Sequence, residues 1–253
     1  MRLKSFLLQE GRSEAMSHEE TIDIISKHCQ KALKGTPVYR GINISRSYMF
    51  VDPKKAEPRV SANTTNYYTY INDNSPYWKQ YPKRSQSIIC TTSQTQPINY
   101  GYTYRVFPYD GAKIGVCPKR DYWFSFYQAL GDDYMLDEFN DHLVDMMNRS
   151  NVYGFNDDSY KKIVDGFKTF DMFMKDDPNK LTILKSRYNI LSGYDPDKIT
   201  FLEHIQKLLS PKKNKFQLKK IGDKLPDNKE VWTDSKSMLV DIKIINDVLK
   251  ELL

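Results

Sequence analysis

Three short stretches carry residue types that could do chemistry together. Val38-Tyr39-Arg40-Gly41 sets an arginine among apolar neighbours. Burying a guanidinium is costly unless an anion meets it. Arg40 therefore reads either as half of a structural ion pair or as a phosphate ligand, a role its planar fork suits. Ser87-Ile88-Ile89-Cys90-Thr91-Thr92-Ser93 passes from an apolar run into three hydroxyls. In an extended chain Ile89, Thr91 and Ser93 share one face and Thr92 takes the other. Glu230-Val231-Trp232 places a carboxylate at the start of a late segment, with Glu230 and Trp232 on one face by the same alternation. An anion-binding arginine, hydroxyl donors and one carboxylate are the parts of a polar site if the fold brings them together.

The elements that must position them are legible in part. Val38, Arg40, Ile42 and Ile44 alternate as in a strand, and residues 102–108 form a second alternating run rich in β formers. Asp110-Gly111 then predicts a hairpin into residues 112–117. Residues 225–229 read as a turn that delivers Glu230, Met238-Leu239-Val240 as strand, and residues 244–253 as a short helix. Upstream, Ser17 and Glu20 have the spacing of a capping box before a helical stripe of Ile22, Ile24, Ile25, Cys29 and Leu33. Gly35-Thr36-Pro37 ends that stripe.

Periodicity changes near Tyr122. Phe139, Leu143 and Met146-Met147, then Ile163, Phe167 and Phe170, then Phe201, Ile205 and Leu208-Leu209 recur at helical spacing. They predict a mainly helical insertion over about 122–209 between sheet segments, its Met and Phe stripes forming core. Asp132, Asp133, Asp137, Glu138 and Asp141 read as a solvated helix face, without EF-hand spacing. Residues 52–83 are loop-rich. Trp78, Tyr81, Pro82 and Arg84, which lead into the hydroxyl strand, interleave aromatic and basic character, which suits either base stacking or, as the simpler reading, cover for a core edge.

Composition bounds the rest. The 253 residues, with 18 Tyr and 12 Phe, are ample for a packed core. Net charge is +6, mild for this length, which permits an acidic partner without requiring one. Three cysteines without close pairing suit a reducing environment, and no apolar run is long enough to span a bilayer. The His and Cys residues lack zinc-type spacing, so no metal ligands are assigned; a site made of carboxylates alone stays open.

An arginine on an early strand, a hydroxyl-ended strand and a glutamate opening a late strand, in that order, resemble the Arg-Ser-Glu class of ADP-ribosyltransferases. The matching motifs are Tyr39-Arg40-Gly41, Thr91-Thr92-Ser93 (usually Ser-Thr-Ser) and Glu230-Val231-Trp232, spread over roughly residues 36–242. The resemblance implies an α+β fold: an ADP-ribosyltransferase-like split β-sheet core with an N-terminal helix and a helical insertion, one domain over 17–253. It implies NAD as substrate. Breaking the nicotinamide–ribose bond develops positive charge on the ribose, as in glycoside cleavage. Glu230 would hold the sugar and stabilise that cation, and Thr91 would orient Glu230. Arg40 would pair with the diphosphate, Gly41 would let its backbone approach the nicotinamide amide, and Thr92 and Ser93 would shape the pocket floor. Tyr100 or Tyr102 would pack on nicotinamide. Asn228 stands where arginine-modifying members carry Glu or Gln, and an amide is no general base.

The first residues, MRLKSFLLQEGRSEAM, read as a frayed terminal helix or as an address. In the second reading residues 1–10 resemble the head-targeting peptide of internal proteins of T4-like phages, cut after Leu8-Gln9-Glu10. The implied protein is a phage mono-ADP-ribosyltransferase acting on a host protein or nucleic-acid acceptor in the host cytoplasm, packaged in the phage head and injected if the address reading holds. Two alternatives are kept. One is a catalytically inert protein of the same fold that counters a host defence. The other is a nucleic-acid-binding protein resting on Lys207, Lys212, Lys213, Lys215, Lys219 and Lys220. No membrane association is expected, and the acceptor and oligomeric state are left open.

Overall fold

The computed structural model describes residues 13–56, 58, 66–131, 135–153, 155–156 and 159–253. The proposed 1–10 address, Asp132 and Asp133 lie outside the described residues. The fold is mixed α+β, in two compact units. The first takes the described residues of 1–63 with Gln80–Asp121 and Phe216–Leu253; the second takes those of 64–79 and Tyr122–Lys215.

The first unit holds the sheet. Its strands are β1 (Ser13–Ala15), β2 (Val38–Ile42), β3 (Tyr48–Val51), β4 (Ile88–Thr91), β5 (Tyr102–Pro108), β6 (Lys113–Val116), β7 (Gln217–Lys220), β8 (Glu230–Thr233) and β9 (Ser237–Asp241). They are ordered β1-β3-β9-β5-β2-β4-β8-β6-β7, and the described pairings are antiparallel. The ladder is uneven. β2 pairs with β5 through five residues, from Val38↔Val106 to Ile42↔Tyr102, but meets β4 only at Tyr39↔Thr91. Beyond that point β2 and β4 are not paired with each other, and the sheet is pinched between its two arms.

Helix α1 (His18–His28) starts from the predicted capping box: Glu20 N donates to Ser17 Oγ at 3.1 Å, and Ser17 N donates to Glu20 Oε2 at 2.9 Å. The stripe then breaks at Cys29 and resumes in α2 (Gln30–Lys34), which Gly35 closes. Ile25, Cys29, Ala32 and Leu33 are buried in the cluster formed by Val38, Val106, Phe107 and Leu239.

The predicted Asp110-Gly111 hairpin does not form. β5 lies between β2 and β9, whereas β6 lies between β8 and β7 in the other arm. The turn itself is present, with Ala112 N donating to Tyr109 O at 3.0 Å. Only Gly111 has positive φ, at 87°. A two-residue hairpin of type I′ needs positive φ at both central residues, and turns of type I or II splay their flanking strands. Asp110 is also tied elsewhere: its N–H donates to His28 O at 2.6 Å and its Oδ1 accepts from Lys31 N at 2.8 Å. The chain therefore pivots on the α1–α2 junction and carries β6 to the other arm.

The second unit contains α3 (Tyr67–Asp73), α4 (Tyr127–Leu130), α5 (Leu136–Arg149), α6 (Tyr160–Asp176), α7 (Pro178–Arg187) and α8 (Phe201–Leu208), and no strand among its described residues. Phe139, Leu143, Met146, Met147, Phe167, Phe170 and Phe201 are fully buried, so the Met and Phe stripes are core. The unit runs to Lys215 and also takes in α3, from the stretch read as loops; Tyr67, Tyr68, Ile71 and Trp78 are buried there. A last helix, α9 (Ile245–Leu252), belongs to the first unit. No described helix is long and apolar enough to cross a membrane.

Candidate active site

Arg40, Thr91 and Glu230 lie on the three adjacent strands β2, β4 and β8. Thr91 and Glu230 are direct cross-strand partners, and Thr91 also faces Tyr39, the neighbour of Arg40. The three stretches singled out in the sequence thus meet where the sheet is pinched.

Arg40 fills the pinch. Its Nη1 donates to the Ile89 carbonyl, a β4 backbone acceptor beside the stretch where β2 and β4 are unpaired. This contact is structural, since an unsatisfied buried carbonyl would cost about 1–3 kcal/mol. The guanidinium is not saturated by it, since its Nε is buried without a hydrogen-bond partner. Burial pulls Arg40 below its usual pKa; the Cys90 thiol and the Glu230 carboxylate oppose that shift, and the charge of Arg84 adds to it. Burial likewise pushes the Cys90 thiol up to about 12, so it is an inert core group.

Glu230 is engaged by a residue outside the three motifs. Arg84 Nη1 lies 2.6 Å from Glu230 Oε1, with both side chains close to nine-tenths buried. Arg84 sits in the 3-10 turn Arg84–Gln86 that leads into β4, its guanidinium 5.9 Å from the Trp232 ring centre. Trp232 is itself fixed: Nε1 donates to Pro82 O at 2.9 Å, and Gly115 on β6 makes room for the indole, since a Cβ there would lie 2.2 Å from it. The sequence marks Arg84 only as a basic residue beside Trp78 and Tyr81 at the entrance of the hydroxyl strand, not as a partner of Glu230.

The hydroxyl motif does different work from that expected. Thr91 Oγ1 donates to Gln96 Oε1 at 2.9 Å and accepts from Ser93 N at 3.1 Å, so it orients the loop after β4 instead of the carboxylate. Thr92 controls where Glu230 begins. Its Oγ1 donates to Pro226 O at 2.9 Å and accepts from Lys229 N at 3.0 Å, and its N–H donates to Lys229 O at 3.0 Å. These bonds pin the turn before β8, in which Asn228 adopts φ 52°, a conformation asparagine tolerates. Ser93 Oγ lies 3.2 Å from Thr95 Oγ1.

Gly41 faces the 3-10 turn Gln96–Tyr100 and not open space. A Cβ on Gly41 would stand 2.1 Å from Pro97 O and 2.8 Å from Tyr100 Cβ. The glycine thus admits a close approach, but of the chain's own backbone. Tyr100 and Tyr102 stay 39 % and 42 % exposed, enough for a planar ligand to stack on either, and Lys243 Nζ lies 5.8 Å from the Tyr102 ring centre. Chemically the site offers a carboxylate beside two guanidiniums, one of them with a buried donor to spare, and exposed aromatic rings near Gly41. No family model, curated protein or solved structure matches the chain.

Proposed function

We propose that the chain is a mono-ADP-ribosyltransferase that cleaves NAD and transfers ADP-ribose to a host protein or nucleic acid during phage infection. The observation that carries this reading is the register Thr91↔Glu230 on β4 and β8, with Arg40 beside it on β2 and within electrostatic reach of Glu230. Three motifs far apart in sequence lie on adjacent strands, which supports the Arg-Ser-Glu reading. The pinched sheet agrees with a split core, and the helical second unit agrees with an insertion. In this reading the spare buried Arg40 Nε meets a phosphate oxygen. The Glu230 carboxylate faces the ribose as positive charge develops there, after Arg84 has released it. Tyr100 or Tyr102 stacks on the nicotinamide.

A second reading, a catalytically inert interaction protein of the same fold, is favoured by two features: Glu230 is held by Arg84, and the Gly41 face is covered by Pro97. Nicotinamide release separates the two. Wild-type protein incubated with NAD should liberate nicotinamide, and Glu230→Gln should reduce the rate by about 10²–10³. No release from folded wild-type protein, with or without host lysate, favours the inert binder.

A further inference from the structure

We infer that Arg84 is an ionic latch on Glu230, opened when a diphosphate-bearing ligand engages Arg40 and Arg84 together. The geometry is on hand in the first unit. Arg84 holds Glu230 at 2.6 Å, with the two side chains 11 % and 13 % exposed, so water screens the pair poorly. The Arg84 guanidinium also lies against Trp232, which shares β8 with Glu230, so carboxylate and guanidinium are held over one wall. Arg40 is near enough to feel both partners, gaining from Glu230 and losing to Arg84. Its Nε is a buried donor with nothing to bond.

A ligand with two adjacent phosphates supplies what this arrangement lacks. One phosphate satisfies the Arg40 Nε; the second competes with the Glu230 carboxylate for the Arg84 guanidinium, whose planar fork suits a phosphate. Transfer of Arg84 to the ligand turns the Glu230 carboxylate over to the bound molecule. A single phosphate satisfies one arginine and leaves the latch shut. This deepens the NAD-cleaving reading and rests on it, because it makes the negative charge of Glu230 available only when the diphosphate is seated. The anion-binding part stands without any catalysis.

The test uses inorganic pyrophosphate and the full chain, titrated calorimetrically at low salt. Pyrophosphate should bind wild type about tenfold or more tighter than orthophosphate, and Arg84→Gln should weaken it by about tenfold or more. The deciding variant is Glu230→Gln, which keeps shape and removes the competitor: pyrophosphate affinity should rise by about tenfold. Asp247→Asn, at an exposed carboxylate on α9, should leave affinity within about twofold, because its charge is screened. If Arg84→Gln does not fold, Arg84→Lys replaces it, and loss of the fork should still weaken binding. Absence of pyrophosphate binding to wild type overturns the latch. So does unchanged or lower affinity in Glu230→Gln, or an equal gain in Asp247→Asn. These outcomes are separable from the catalytic reading: that fails on missing nicotinamide release even if pyrophosphate binds, whereas the latch fails on the direction of the Glu230→Gln change even if nicotinamide is released.

Discussion

Thr91 and Glu230 stand directly opposite each other on β4 and β8, yet the Thr91 hydroxyl donates to Gln96 at 2.9 Å and the Glu230 carboxylate is taken by Arg84 at 2.6 Å. Two residues brought together by sheet register are thus oriented by partners outside their own motifs. The positions of the polar groups come from long-range strand pairing, and their orientations come from the two irregular turns that flank β4.

Arg40 supports the sheet and, in the proposed NAD reading, also meets a phosphate, so its removal should reveal both roles. Arg40→Ala leaves the Ile89 carbonyl without its donor and should cost about 1–3 kcal/mol of stability, read by urea unfolding. It should also weaken NAD binding by about tenfold or more, read by calorimetry, through loss of a charge-assisted phosphate contact. A variant as stable as wild type would show that the carbonyl finds another partner. Unchanged NAD affinity would remove Arg40 from the binding site.

Gly41→Ala drives a methyl group into backbone. With Pro97 O at 2.1 Å and Tyr100 Cβ at 2.8 Å from the added carbon, the turn Gln96–Tyr100 must move. Overpacking of this kind commonly costs about 1–3 kcal/mol. Thermal unfolding should register the loss, and amide hydrogen exchange should rise over residues 96–101. An unchanged melting temperature with unchanged exchange would contradict the close approach.

The fold is legible in the sequence where local periodicity decides it. The capping box at Ser17, the strand alternation around Arg40 and Ile89, and the Phe and Met stripes after Tyr122 all follow from residue spacing. The register that sets Thr91 against Glu230 is not legible in the sequence, because pairing between distant strands leaves no local pattern. The pairing of Arg84 with Glu230 and of Gln96 with Thr91 escapes a sequence reading because 3-10 turns aim single side chains without periodicity. The Asp110-Gly111 dipeptide misleads because it sets a turn but not its type. Asp110 keeps negative φ, and its hydrogen bonds to the α1–α2 junction decide where β6 goes.

Removal of the first cap is the simplest check on the N-terminal element. Ser17→Ala loses the bond from Glu20 N and should destabilise the first unit by about 1 kcal/mol. Denaturant unfolding of the variant against wild type measures this. A change much below that value would mean that tertiary contacts, and not the capping box, set the start of α1.

His204 gives the helical unit a pH dependence. Its Nε2 donates to Ile190 O at 2.8 Å, which fixes the Nε2–H form, since a carbonyl only accepts. Burial lowers its pKa below the ordinary value near 6.5; the Ile190 bond opposes this, and Lys213, Lys185 and Lys207 add to it. The unfolded chain therefore binds more protons than the folded one between the folded pKa and about 6.5. The stabilising effect of neutral His204 is complete above about pH 6.5 and is lost as pH falls below it. The melting temperature should drop from about pH 7.5 to about pH 5.5, and His204→Gln should reduce the slope over that range. An equal slope in the variant would assign the effect to other groups.

An NAD-cleaving site built on Glu230, Arg40 and Thr91 should act on macromolecules in a cell extract. The most direct measurement incubates wild type and Glu230→Gln with host lysate and NAD labelled in the adenylate phosphate, then follows label into macromolecules. Wild type should transfer label and release nicotinamide in step, while Glu230→Gln, folded and still binding NAD, should transfer about 10²–10³ less. Equal labelling by the two proteins, or none by folded wild type, would contradict it.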